Sequence, residues 1–339
     1  MEGVVFDFLY LRSLRSWPGG FHVAVRHIVR TEVSVRTEKG SDRRKRIAES
    51  KYLYLMLFLP IVYFILFKYA PMFGILIAFQ NYSYVKGVFQ SDWVGMYHFR
   101  EFLTDPYFWK LVRNTVVMNL YMIVFYFPAP IILALILNEV RLKWFKKIAQ
   151  SVSYLPHFLS TVVVCGMVVN FLANEGLVNR ILGAFGLEPI PFLMMAEWFR
   201  TIYIGSEIWQ GVGWGSIVYL AALASVDPQQ YEAAKIDGAN RWQQMVNITL
   251  PGIAPGVTIM FWLNIGNLMS IGYEKILLLY TGPTYETADV ISTYVYRRGL
   301  LGSDFSYATA VELFQSVIAL GMIVLANWVS RRVSETSLW

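Results

Sequence analysis

The residues of this sequence that could do chemistry sit mostly inside apolar stretches. Glu207, Gln210, Gly211 and Trp214 are spaced i, i+3, i+4 and i+7, which puts them on one face of a helix. A Trp ring can stack on the apolar face of a pyranose while a Gln amide bonds its hydroxyls, so the face suits a carbohydrate. Asn264 and Asn267 form a second i, i+3 pair, and Glu312, Gln315 and Ser316 share a third face. Polar groups within membrane spans are costly and tend to face an interior or a cavity. The competing reading is packing, because Asn side chains and small residues such as Gly211 and Gly215 also join helices. Glu207 would repel an acidic sugar unless neutralised or paired, and Glu312 reads as a packing or interface acid.

Other chemistries are poorly served. The four histidines (His22, His27, His98 and His157) are scattered, with no HExxH pattern and no nucleophile constellation. The single cysteine, Cys165, lies in an apolar run, which leaves no disulfide framework and no thiol cluster for a metal. No Gly-Lys dipeptide occurs, so the chain has no P-loop to cradle ATP phosphates. A membrane-bound enzyme is therefore disfavoured. An ion-gradient-driven secondary transporter would need several ionisable groups in the membrane, and only Glu207 and Glu312 are central.

The elements that must hold these residues are membrane helices. Of the 339 residues 56% are hydrophobic and 15% charged, against about a quarter charged in soluble domains. Six stretches can span: 52–79, 115–137 (with a kink expected at Pro128 and Pro130), 152–173, 201–226, 251–273 and 305–330. Residues 1–51 carry eleven Lys or Arg, including Arg43-Arg44-Lys45-Arg46. Beside a span, such a run reads as an anchor for lipid headgroups rather than a nucleic-acid site. With the N-terminus inside, 19 of the 29 Lys and Arg fall in cytoplasmic pieces. Both termini, the 331–339 tail included, are thus expected in the cytoplasm. No cleavable signal peptide is apparent. The outer segments are rich in aromatics such as Trp93, Tyr97 and Trp109, suited to an interfacial belt or a docking surface.

Between the fourth and fifth stretches lies a polar island, 227–250. Asp227-Pro228-Gln229-Gln230 is a helix start, with Asp accepting from first-turn amides, Pro at the first helical position and Gln three residues after the cap completing a box-like arrangement. A short helix through Glu232-Ala233-Ala234 should stop near Asp237-Gly238, and a second piece, 239–247, should lead to Leu250-Pro251. Glu-Ala-Ala, three residues, Gly, nine residues and Ile-x-Leu-Pro together resemble the EAA loop of ABC importer permeases. The resemblance covers nearly everything from residue 52 to Trp339. Tyr69-Ala70-Pro71-Met72, Tyr154-Leu155-Pro156-His157, Tyr219-Leu220-Ala221-Ala222, Ala288-Asp289-Val290-Ile291, Thr293-Tyr294-Val295-Tyr296 and Ala308-Thr309-Ala310 are similar to carbohydrate permeases of the MalF/LplB type.

That resemblance implies an all-α membrane protein with six helices in the type I ABC importer permease fold, in a bacterial inner membrane. It implies that Glu232, Ala233, Ala234, Asp237, Gly238 and Arg241 couple the chain to a separate ATPase subunit. It also implies that the faces of Glu207, Gln210, Gly211, Trp214, Asn264 and Asn267 line the solute pathway. The chain itself would hold no cofactor or metal, with ATP and Mg at the ATPases. Its partners would be a second permease, two ATPases, a solute-binding protein and an oligosaccharide. An acidic one such as alginate would fit that branch.

Overall fold

The computed structural model describes residues 50–266 and 271–333. The basic extension before Ser50, Asn267 and the tail from 334 onward lie outside the described residues. The chain divides into two units at Pro71 and Met72. In the first, α1 (Lys51–Phe64) continues as a π turn, Ile65–Tyr69. Every side of α1 is apolar and none of its residues is buried. A helix hydrophobic all round belongs in a core or in lipid.

The second unit is helical apart from one two-residue antiparallel pairing, Gln80–Asn81 with Asp92–Trp93. Its long elements are α2 (Phe108–Tyr121), α3 (Pro128–Glu139), α4 (Lys143–Tyr154), α5 (Thr161–Leu172), α6 (Ala196–Ala224), α7 (Pro228–Ile236), α8 (Leu250–Gly266), α9 (Tyr273–Leu279) and α10 (Phe305–Val333). Among the described residues, five helices are long and apolar enough to cross a membrane: Lys51–Phe79, Phe108–Glu139, Thr161–Ala184, Arg241–Ile265 and Phe305–Leu325.

The expected fourth span, 201–226, corresponds to α6, which differs from those five. Its 29 residues, roughly 44 Å at 1.5 Å per residue, exceed a hydrocarbon core of about 30 Å. It is less apolar because it carries Glu197, Arg200, Glu207 and Gln210. Packing explains how it can be: α3, α4 and α8 all lie against it, together with the segment Tyr285–Ala288. Two other expected bounds shift. The third apolar helix starts at Thr161 rather than 152, because Pro156 sits in a 3-10 turn and Ser160 then caps a new helix through Val163 N–H. The fifth is helical as far as it is described, to Gly266, and Tyr273–Leu279 is a separate helix opened by Gly272.

Three of the four π turns among the described residues, Ile65–Tyr69, Met122–Tyr126 and Met245–Thr249, each end two residues before a proline (Pro71, Pro128 and Pro251), while Tyr296–Leu301 has none behind it. Proline has no N–H and its ring crowds the carbonyl four residues back, so one wider turn lets the helix continue. The kink expected at Pro128 and Pro130 is therefore a π turn just before them.

Three buried clusters hold the bundle. One joins Met118, Cys165, Tyr203, Ile271 and Ile276, a second gathers Phe102, Leu111, Ile291 and Tyr307, and a third joins Ala134, Tyr219, Leu223, Val226 and Ile253. The last leads straight into the polar island. Close approach makes the packing possible: a Cβ on Gly213 would overlap the carbonyl oxygen of Ser153 in α4, and one on Gly211 would lie 2.5 Å from the Tyr126 hydroxyl. Gly213→Ala should therefore overpack this seam by about 1–3 kcal/mol. A melting curve followed by size-exclusion fluorescence should drop by several degrees. Gly205→Ala, on the same helix with open space around it, should leave the curve unchanged.

Candidate functional site

Two constellations carry the chain's polar chemistry, and α6 bears on both. The first is a cavity of about 360 Å³ whose wall includes Asn119, Tyr203, Glu207, Gln210, Asn264 and Lys275. Glu207 and Gln210 are one turn apart on α6. Between them enters the Lys275 ammonium from α9, 2.7 Å from Glu207 Oε1 and 2.8 Å from Gln210 Oε1. Gln210 is oriented at its other end, where Nε2 donates to the Leu159 carbonyl at 3.2 Å. Asn264 donates to the Met260 carbonyl one turn back at 2.8 Å. Lys275 is almost wholly buried, with 7% of its side chain exposed, whereas Glu207 keeps 23%. The acid expected to need a partner has one.

Three of the expected pathway residues, Glu207, Gln210 and Asn264, meet at this cavity. Two others do not. Gly211 faces Tyr126, and Trp214 stacks on His157 with centroids 4.7 Å apart and planes 3° from parallel. His157 is thus a packing residue, as its place after Leu155-Pro156 suggests. Asn267 lies outside the described residues. Lys275 was not among the expected residues. Its sequence neighbourhood reads as the start of an outer loop, and nothing in a single chain signals that residue 275 meets residue 207.

The second constellation is the island. Asp227 caps α7 by accepting from Gln229 N–H at 2.9 Å. The helix ends in a Schellman arrangement, with Gly238 N–H bonding the Lys235 carbonyl and Ala239 N–H that of Ala234. Gly238 has φ +78°, the left-handed region that disfavours side chains. Asn240 and Gln243 then form a reciprocal capping box for Arg241–Gln244. The box falls there rather than at Asp227.

Three ties anchor the loop. Its start is the end of α6, Tyr231 and Thr249 share a hydroxyl bond of 3.0 Å, and Arg241 pairs with Glu139 of α3 at 2.8 Å. Arg241, expected at a partner surface, is thus engaged within the chain. Glu232, Ala233, Asp237 and Gly238 are exposed and Ala234 half-buried. Sequence reasoning passed over Ile236 and Trp242, which stand 87% and 68% exposed on this polar loop. Apolar residues in a charged, capped loop were the available signal, since exposed apolar groups grouped in one place mark contact surfaces.

At the opposite end of α6 a polar clasp fixes α2 to the segment before α10. Buried Asn114 donates to the carbonyls of Glu286 and Asp289 and accepts from Arg200. Asp289 receives both guanidinium nitrogens of Arg297, and this pairing raises the arginine's pKa above its ordinary value. Lys110 and Arg113 hold the Glu286 carboxyl below the usual carboxylate range.

The cavity geometry makes a direct prediction. In the native chain the sole thiol, Cys165, is buried and should stay unlabelled by a charged methanethiosulfonate reagent. Asn264→Cys should gain one label, read by intact mass, while Gly211→Cys should gain none.

Comparison with known proteins follows the same lines. Residues 112–335 match the family described as binding-protein-dependent transport system inner membrane component. The polygalacturonan/rhamnogalacturonan transport system permease protein YteP of Bacillus subtilis is 44% identical over 303 residues, spanning 88% of this chain and 94% of the relative. Protein LplB of the same organism is 41% identical over 302 residues, spanning 89% and 95%. Among solved structures, a chain of a bacterial alginate ABC transporter in complex with alginate pentasaccharide-bound periplasmic protein is similar at TM-score 0.80 and 43% identity, over 87% of this chain and 99% of that one.

Proposed function

The chain belongs to the family of binding-protein-dependent transport system inner membrane components, and from that premise we infer that it is the permease subunit of an ATP-driven importer of acidic oligosaccharides. Its apolar helices make it a multi-pass membrane protein. The observation that carries the transport reading is the continuity of α6. One unbroken helix bears Glu207 and Gln210 in the cavity wall and ends at the exposed loop. About 21 Å of helix separates Gln210 from Ala224, where α6 ends just before the loop, so the two sites are joined by a rod.

In this reading the chain crosses a bacterial inner membrane six times, α6 being the sixth crossing beside the five apolar helices, with both termini and the loop in the cytoplasm. ATP and Mg are used by separate ATPase subunits, and the chain's own residues do no hydrolysis. Glu232 and the small flank of Ala233-Ala234, with Ile236 and Trp242 as apolar contacts, dock in an ATPase groove. A second permease subunit completes the pathway, and a binding protein delivers the solute at the opposite face. Support for an acidic saccharide comes from the relatives: one is named for polygalacturonan and rhamnogalacturonan and another belongs to an alginate transporter, and all these polymers carry uronic acids.

Reconstitution of the chain with its second permease, ATPases and binding protein tests this. Uptake of oligouronates should require ATP, and uptake driven by an ion gradient without ATP would overturn the reading in favour of a secondary transporter. Loop variants sharpen the test. A residue with a Cβ in the left-handed region costs about 1–2 kcal/mol, and proline at Gly238 also removes the N–H that bonds Lys235. Gly238→Pro should therefore weaken ATPase co-purification by about tenfold or more while the chain still inserts. Glu232→Lys should lower solute-stimulated ATPase activity in the same direction. Full stimulated activity in both variants would remove the docking role.

A further inference from the structure

Among the described residues lining the cavity, Lys275 is the single cation, beside the carboxylates of Glu207 and Glu274. With two acids and one base, the lining repels a polyanion unless the ammonium is made available to it. The geometry equips Lys275 for that exchange. Its ammonium is held by a carboxylate and an amide oxygen on one face of α6, at 2.7 Å and 2.8 Å, and Glu207 is the more exposed member of the ion pair. A buried cation in a membrane domain must keep an anionic partner, because an uncompensated charge there is strongly disfavoured. The identity of that anion is open to exchange, since a carboxylate on a sugar offers the same acceptor chemistry as Glu207. Gln210 stays in place during such an exchange, because its other end is bonded to the Leu159 carbonyl.

We propose that Lys275 is the specificity-determining residue of the pathway for acidic saccharides, its ammonium held by Glu207 in the empty cavity and passed to a solute carboxylate during transit. The proposal rests on the importer reading and names the group by which that site recognises its solute. A lysine whose role is purely structural makes a different forecast. If the pair only braces α6 against α9, losing either partner should be equally harmful, and losing both together should restore function.

The test uses the full importer in proteoliposomes, with uptake of an alginate pentasaccharide and of an oligogalacturonate expressed per assembled complex recovered. Lys275→Met leaves Glu207 bare in the cavity and should cut uptake by about tenfold or more. Glu207→Gln removes the resting carboxylate but leaves the ammonium for the solute, so uptake per assembled complex should fall less than in Lys275→Met, by about threefold to fivefold, with a lower half-saturation. Lys275→Arg should restore part of the loss, and the double variant Glu207→Gln/Lys275→Met should remain as poor as Lys275→Met. Equal losses in the two single variants with full recovery in the double would overturn the proposal and leave a structural pair. Wild-type uptake by Lys275→Met would overturn it as well. Should the wild-type importer take up neither acidic oligosaccharide, the functional reading itself fails and the proposal falls with it.

Discussion

The structure depends on a polar helix kept away from lipid. Helix α6 carries Glu197, Arg200, Glu207 and Gln210, groups that hydrocarbon would penalise by several kcal/mol each if they were unpartnered. Every one of its neighbours can be read as an answer to that constraint. Arg200 reaches Asn114, Glu207 reaches Lys275, and Gln210 reaches both Lys275 and the Leu159 carbonyl. Enclosure also demands closeness, which Gly213 supplies where α6 crosses Ser153 of α4. Glu207 and Gln210 are turned into the cavity, while Trp209, Ile217 and Val218 of the same helix remain as exposed apolar residues.

Enclosing a helix requires neighbours that bend to follow it, and here the prolines serve. In the second unit the π turns before Pro128 and Pro251 each add a wide turn where the ladder would otherwise break. Both flank functional ground. Met122 and Tyr126 of one meet the cavity and Gly211 respectively, and Thr249 of another receives the Tyr231 hydroxyl. A π turn rotates the side chains that follow it relative to an ideal helix, so the prolines contribute indirectly to what faces inward.

What could be read from the sequence follows the range of the interaction. Local devices were readable: the Asp227 cap, the stop at Gly238 and the apolar runs depend on residues a few positions apart. That Glu207 would repel an acidic solute unless neutralised or paired was also readable, from its charge alone. The partner itself was not. Lys275 lies 68 positions from Glu207, beyond any periodicity, and its stretch looks like loop because Gly272 starts a short separate helix there. Trp214 shows a different limit. Its i+7 spacing from Glu207 holds, but a helix face is broader than a cavity, and one face of the Trp ring stacks on His157. The capping box at Asn240 was missed for a simpler reason: Asp227 offered the same signature closer to the obvious helix start.

The placement of the anchors decides how the two constellations can communicate. Because the loop is continuous with α6 at one end and α8 at the other, is tied to α3 through Arg241–Glu139 and has its own two ends joined by Tyr231–Thr249, it has little freedom to move alone. Any large displacement of it must carry the nearby parts of those helices, a rigid-body shift rather than a loop rearrangement. Helix α9, which bears Lys275, packs chiefly against α5 and only lightly on α6. A shift of α6 relative to α5 therefore bears directly on the contact between Glu207 and Lys275, because its two partners sit on α6 and on the helix packed against α5. The Glu207–Lys275 contact is then a place in the cavity where motion of the loop is felt, and it is also the place where a carboxylate could substitute for the one withdrawn.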